Sequence, residues 1–130
     1  MKKIVLFISF VFLAVAADFD WVTYNKALAM AKKLNKPIMI MISQKGCPTC
    51  EYMDDVAFEN DGLVDFVEYN FIPVKIDLSE AKKLGFKAYG TPTFYFLRPN
   101  GKPFEPPLVG GATAKVFLDK LKEIKADYGH

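Results

Sequence analysis

Apolar runs and amphipathic stretches alternate along this chain in the rhythm of strand and helix. Asp20 to Asn35 carries Trp21, Tyr24, Ala27, Leu28, Ala31 and Leu34 at spacings of three and four, which predicts one apolar helical face, and Asn35-Lys36-Pro37 marks its end. Pro37 to Ser43 is apolar almost without a break, as a strand covered on both faces is. Such a strand requires helices above and below it. Cys47 to Phe58 predicts one helix, and Asp61 to Asn70 another turn or two with Leu63, Phe66 and Val67 on one face. Phe71 to Asp77 predicts a second strand, followed by a short helix over Ser79 to Leu84 that stops at Gly85. This alternation predicts a parallel sheet up to that point. Thr93 to Leu97 is a third strand, and Pro99-Asn100-Gly101-Lys102 is a turn signal for a hairpin with the segment that follows. Val109 is expected to carry the fourth strand, confined to an edge by Pro103, Pro106 and Pro107. A final helix is predicted over Thr113 to Tyr128, with Val116, Phe117, Leu121 and Ile124 inward. Repeats, low-complexity tracts and linkers are absent from the sequence.

Composition narrows the class. With 130 residues, 52% hydrophobic and 15% aromatic, the chain suits one α/β domain with a real core and is too apolar for disorder. Seventeen basic and fifteen acidic side chains leave a net charge of +2. None of the Lys/Arg runs is dense enough to track a phosphate backbone, so nucleic acid is not an expected partner. The single histidine, His130, is the terminal residue, where packing cannot readily hold it for acid-base catalysis.

The first residues differ from the rest. Met1-Lys2-Lys3 is a basic start, Ile4 to Ala16 is apolar, and Ala14-Val15-Ala16 before Ala17 matches the small-x-small pattern of a signal-peptidase site. Residues 1–17 are expected to be a cleaved signal peptide and residues 18–130 the domain, soluble once exported. A buried core helix or an uncleaved anchor is the other reading, but about 13 apolar residues fall short of the roughly 20 needed to span a bilayer.

Export changes what Cys47 and Cys50 mean, because two cysteines in an oxidising compartment are ordinarily a structural disulfide. Their spacing argues otherwise: a bridge over two residues closes almost no loop in the unfolded chain and so contributes little to folding. Zinc would need four ligands, and neither a second Cys pair nor a placed His supplies them. Met30, Met39, Met41 and Met53 lie in apolar stretches and read as core filler before copper ligands. Neither metal nor cofactor is expected. Reactivity remains. A thiolate attacks a disulfide and a second thiol in reach resolves the mixed disulfide. In the order strand, loop, Cys-x-x-Cys, helix, Cys47 falls at the helix start, where unpaired N–H groups favour negative charge, and Cys50 lies one turn inside. That makes Cys47 the nucleophile and Cys50 the resolving thiol. Pro48 suits a first helical turn, where its missing N–H costs nothing, while Thr49 is less diagnostic.

Cys47-Pro48-Thr49-Cys50 after an apolar strand, with Thr91-Pro92 opening the hairpin strand downstream, resembles the thioredoxin superfamily over nearly all of the chain after residue 17. The resemblance implies the thioredoxin fold, a single α/β domain with a central mixed sheet of about four to five strands flanked by helices. It also implies that Pro92 is cis and faces the cysteine pair. Thr91 and Pro92, with Pro48 and Thr49, would then line the groove for an extended substrate segment. An ordinary strand-opening proline is the alternative, since X-Pro bonds are cis in only about one case in twenty, but the position of Pro92 favours cis over that base rate.

Two departures from the family pattern stand out. Many thioredoxins carry a buried aspartate six residues before the first cysteine, and that position here is Met41. Glu51 and Asp77 are candidates to replace it through a water, although surface carboxylates are the commoner reading of both. The approach loop is Gln44-Lys45-Gly46 instead of the usual Trp-Cys-Gly-Pro-Cys surroundings. Lys45 is either a further influence lowering the Cys47 pKa or a solvated loop lysine. These features resemble the exported thioredoxin-like proteins of bacteria, including the periplasmic domain of the membrane disulfide reductase. The expectation is a periplasmic protein-disulfide oxidoreductase, acting on protein disulfides or thiols. Reduction with electrons from a membrane-bound redox partner is favoured, since the inserted helical domain of dedicated oxidases is lacking. Oxidase or isomerase activity, and a redox-inactive peptide-binding module, are the alternatives.

Overall fold

The structure, a computed structural model, describes residues 20–129, so the expected signal segment and His130 lie outside the described residues. The elements run α1 (Tyr24–Leu34), β1 (Ile38–Ser43), α2 (Pro48–Asp55), a 3-10 turn (Ala57–Glu59), α3 (Asp61–Asn70), β2 (Ile72–Asp77), α4 (Leu78–Leu84), β3 (Thr93–Leu97), β4 (Leu108–Val109) and α5 (Ala114–Tyr128). The sheet is mixed, four-stranded and ordered β2-β1-β3-β4, with β1 parallel to β2 and β3 antiparallel to both β1 and β4. This is the thioredoxin fold expected from the sequence.

Local chemistry sets most boundaries. Asn60 caps α3 by accepting from Leu63 N–H at 3.0 Å, Thr113 caps α5 by accepting from Val116 N–H at 3.3 Å, and Gly85 ends α4 at φ +84°. The central strand β1 alternates with period two. Ile38, Ile40 and Ile42 enter an aliphatic layer with Val74, Ile76 and Leu97, against Ala27 and Ala31 of α1 and Ala81 of α4. Met39 and Met41 enter the opposite layer with Cys50, Met53, Phe58, Phe94, Phe96 and Phe117, under α2, α3 and α5. All five of these β1 residues are 0% exposed, as a strand covered on both faces requires.

Three local expectations are corrected. The first helix starts at Tyr24 and not at Asp20. Thr23 caps it by accepting from Lys26 N–H at 3.3 Å, while Val22 stays extended, bridging in parallel to Val74 with its N–H donating to Pro73 O at 3.0 Å. A tertiary strand pairing thus wins over the helical pattern, and it swings Trp21 into the other layer, edge-on to Phe58 at 5.5 Å. Leu34, placed on the apolar face by periodicity, is 50% exposed in the last turn. Val116 is 58% exposed instead of inward, because it stands in the first turn of α5 at the rim of a small cavity shared with Leu108 and Val109. The turn at Pro99–Lys102 forms, with Arg98 N–H donating to Lys102 O at 2.8 Å, yet its outgoing arm makes only the Leu97–Pro103 bridge before β4. Its prolines keep it from pairing continuously.

Candidate functional site

The end of β1 and the start of α2 are joined by Gln44, Lys45 and Gly46, and the turn needs Gly46 at φ +77°, a left-handed conformation costly for other residues. Cys47 follows as the N-cap of α2 in extended conformation, its backbone N–H donating to Gln44 O at 3.3 Å. The Cys47 Sγ accepts the Cys50 N–H at 3.1 Å, so the sulfur takes the capping place that Ser or Asp usually fills. Pro48 opens the helix where an N–H would have no partner. Cys47 is half-buried, Cys50 is 2% exposed, and both are free thiols. The expected asymmetry between an accessible outer sulfur and a shielded inner one is present.

The Thr91-Pro92 peptide bond is cis and lies against this helix start. The Cys47 thiol donates to Thr91 O at 3.4 Å, and Thr91 Oγ1 and Gln44 Oε1 are 3.4 Å apart. Pro92 O accepts from Gly110 N–H at 2.8 Å, and the buried Thr93 hydroxyl donates to Gly90 O at 2.6 Å, which fixes the segment on both sides. Thr49 packs against Gly111 so closely that a Cβ on that glycine would sit 2.7 Å from Thr49 Cγ2. The Ala112 N–H donates to the sulfur of buried Met53 at 3.5 Å. The predicted residues Cys47, Pro48, Thr49, Cys50, Thr91 and Pro92 therefore meet in one place, built from the loop before α2, the residues before β3 and the β4–α5 connection.

Partial burial pushes the Cys47 thiol up, and it is the largest single influence. Side-chain hydrogen bonds with Cys50 and Thr91, and then the backbone N–H groups of Cys50 and Thr49, outweigh it together and hold the thiol below its ordinary value. The lowering is carried by hydrogen bonds at the helix start and not by Lys45, which is exposed. A half-buried sulfur whose thiolate is favoured, with a second thiol one turn inside, can attack a disulfide and then be released from the mixed disulfide.

Cys50 lines an open cleft of about 460 Å³ together with the loop residues Gln44, Lys45 and Gly46 and with Glu51, Asp54, Lys75, Asp77 and Glu80. Met41, at the family's aspartate position, is fully buried in the aromatic layer, so no carboxylate reaches Cys50 from β1. Glu51 and Asp77 both line the cleft and both are exposed. Sequence reasoning missed Gln44, Gly111 and the Asp54–Lys75 pair, whose Oδ1 and Nζ are 2.6 Å apart. Asp54 was in principle visible, since it follows Cys50 by one helical turn on the same face. Among the described residues there is no group of three or more His, Cys, Asp or Glu placed to hold a metal, and no helix long and apolar enough to cross a membrane.

Known proteins share this architecture. The chain is similar to spermatogenesis-associated protein 20 of Homo sapiens, 30% identical over 104 residues that cover 71% of this chain and 13% of that protein. It therefore spans only a small part of that relative's length. The solution structure of a thioredoxin from Thermus thermophilus superposes with a TM-score of 0.68 at 25% identity, covering 82% of this chain and 87% of that one. The oxidised C-terminal domain of DsbD from Neisseria meningitidis superposes at 0.61 with 18% identity, covering 76% and 90%. The thioredoxin-like domain family matches residues 24–125, most of the chain, and with the mixed sheet, the Cys-x-x-Cys helix start and the cis-proline at one site, the chain belongs to that family.

Proposed function

We propose that this protein is a thiol-disulfide oxidoreductase that exchanges its Cys47/Cys50 dithiol and disulfide with protein substrates. One observation carries the reading: the Cys47 sulfur caps α2, is held toward its thiolate by that helix start, and stands beside Thr91 and cis Pro92 with Cys50 shielded one turn behind. In the reducing direction, the Cys47 thiolate attacks a substrate disulfide and forms a mixed disulfide. The departing substrate sulfur takes up a proton. Cys50, once deprotonated, attacks the Cys47 sulfur; the substrate leaves as a dithiol and the protein retains the Cys47–Cys50 disulfide. Pro48, Thr49, Thr91 and Pro92 form the wall against which the substrate segment lies.

Reduction is the favoured direction, in the periplasm after removal of residues 1–17, with a membrane-bound redox partner restoring the dithiol. The basic and apolar start of the sequence supports export. The lack, among the described elements, of a large inserted helical domain such as dedicated oxidases carry supports reduction.

The test is substitution of each cysteine in turn. Cys47→Ser abolishes exchange with an oxidised protein substrate, whereas Cys50→Ser accumulates mixed disulfides through Cys47. Exchange that survives Cys47→Ser overturns the assignment, and retained peptide binding without any exchange in the unaltered protein identifies a binding module instead. Direction is read from the reduction potential: a value near about −270 mV supports an electron donor, and one near about −120 mV a disulfide donor.

A further inference from the structure

Resolution of the mixed disulfide has a requirement that Cys47 does not meet. Cys50 is 2% exposed and attacks only as a thiolate, so its proton must pass to an acceptor that reaches the inner sulfur. Met41 and the aromatic layer close the site from the sheet side. The open route is the cleft of about 460 Å³ that Cys50 lines, ample for water.

The charged groups facing that cleft are Lys45 from the loop, Glu51 and Asp54 from α2, Lys75 and Asp77 from β2, and Glu80 from α4. The four carboxylates are not equivalent. Asp77 is engaged as the N-cap of α4, its Oδ1 accepting the Glu80 N–H at 2.8 Å. Glu51 and Glu80 are exposed. Asp54 is half-buried, follows Cys50 by four residues and so shares its helix face, and is fixed by Lys75 Nζ at 2.6 Å. Lys75 is itself positioned, with its ammonium 5.1 Å from the centre of the Trp21 ring. Trp21, Lys75 and Asp54 thus form an array that ends at the cleft beside the inner cysteine.

We infer that Asp54, oriented by Lys75, accepts the proton of Cys50 through water in this cleft during resolution of the mixed disulfide. The inference rests on the exchange reaction proposed above. The Cys50 proton goes to the Asp54 carboxylate, and the Cys50 thiolate attacks Cys47 Sγ. The Cys47–substrate bond breaks and the substrate sulfur departs with the electron pair. Asp54 then returns its proton to solvent. Asp54 supplies a carboxylate from the helix where β1 offers only a methionine.

The experiment is a stopped-flow reaction of the reduced protein with a symmetrical aryl disulfide whose nitrothiophenolate is coloured and leaves without protonation. The first release reports capture by Cys47, and the second, independent of reagent concentration, reports resolution by Cys50. Asp54→Asn is expected to leave capture intact and to slow the second release at pH 7 by at least about tenfold. The gap narrows as pH rises, because hydroxide then competes as the proton acceptor, and Asp54→Glu recovers most of the rate. An unchanged second release, or a gap that is the same at every pH, overturns the inference. If Asp54→Asn does not fold, Lys75→Met provides the same reading: slower resolution at pH 7 with normal capture supports the array, and unchanged resolution overturns it. Absence of any first release in the unaltered protein would instead sink the exchange reaction itself.

Discussion

The two faces of the sheet are built from different materials. On the α1/α4 side the layer is mainly aliphatic and β-branched: Ile38, Ile40, Ile42, Ile72, Val74 and Ile76, against alanines that let the helices approach closely, with Tyr95 and Phe86 in ring contact at its margin. On the α2/α3/α5 side it is aromatic and sulfur-rich, with Phe58, Phe94 and Phe117 in mutual contact at 4.8 to 6.5 Å between ring centroids, beside Met39, Met41, Met53 and Cys50. Branched side chains have few rotamers and make a stiff support, while methionine adapts to irregular space. The stiff face anchors the strands, and the adaptable face carries the short helix whose first turn holds both cysteines. The difference teaches that one strand with period-two alternation, β1, serves scaffold and site at once.

The sharpest way to break this comparison is to remove a ring from the aromatic side. Phe117 is 1% exposed and meets Phe58 and Phe94, so Phe117→Ala should cost about 3–5 kcal/mol in urea unfolding of the reduced protein. A loss below about 1 kcal/mol would show that this layer collapses around the gap and is not close-packed.

A smaller effect is expected where the aromatic side meets the site. Gly111→Ala places a methyl 2.7 Å from Thr49 Cγ2 and 3.3 Å from Met53 Sδ, at a cost of about 1–3 kcal/mol. Because Thr49 lies between the cysteines, capture by Cys47 should slow on the order of tenfold. Stability lost with full capture rate would mean that Thr49 moves without disturbing Cys47.

On the aliphatic side, Ile40→Val should cost about 0.5–1.5 kcal/mol and leave both thiol reactions unchanged. A slowed reaction in that variant would show that the two faces are mechanically coupled through β1.

The last effect is the pH slope from Cys47, given in direction alone. Its folded-state pKa lies below the ordinary thiol value, so between those two values the unfolded chain binds more protons. Stability of the reduced protein should therefore rise with pH across that window and be lost as pH falls through the folded value. Cys47→Ser should lack this slope, which urea midpoints under reducing conditions will show. Equal slopes in the two proteins would remove the hydrogen-bonded helix start as the cause.

Much of this was readable from local pattern. The third strand lies at Thr93–Leu97 and the third helix at Asp61–Asn70, as their apolar spacing predicts. Gly85 stops α4, and Cys47 stands at the start of α2, because caps and turns are written in adjacent residues. What lay out of reach depends on which segments the sheet order brings together. Val22 joins β2 although it falls within the span predicted as the first helix, since an available strand edge satisfies its N–H. Thr91 and Gln44, separated by 47 positions, meet because β3 lies beside β1 and presents its opening residue to the loop that β1 enters. Asp54 of α2 and Lys75 of β2 meet although 21 positions separate them. The sequence by itself determined the order of elements, the doubly covered central strand and the placing of two thiols at a helix start. Only the tertiary structure decided that Asp54, Gln44 and an open cleft would surround them, because those neighbours come from separate elements and no local period records their approach.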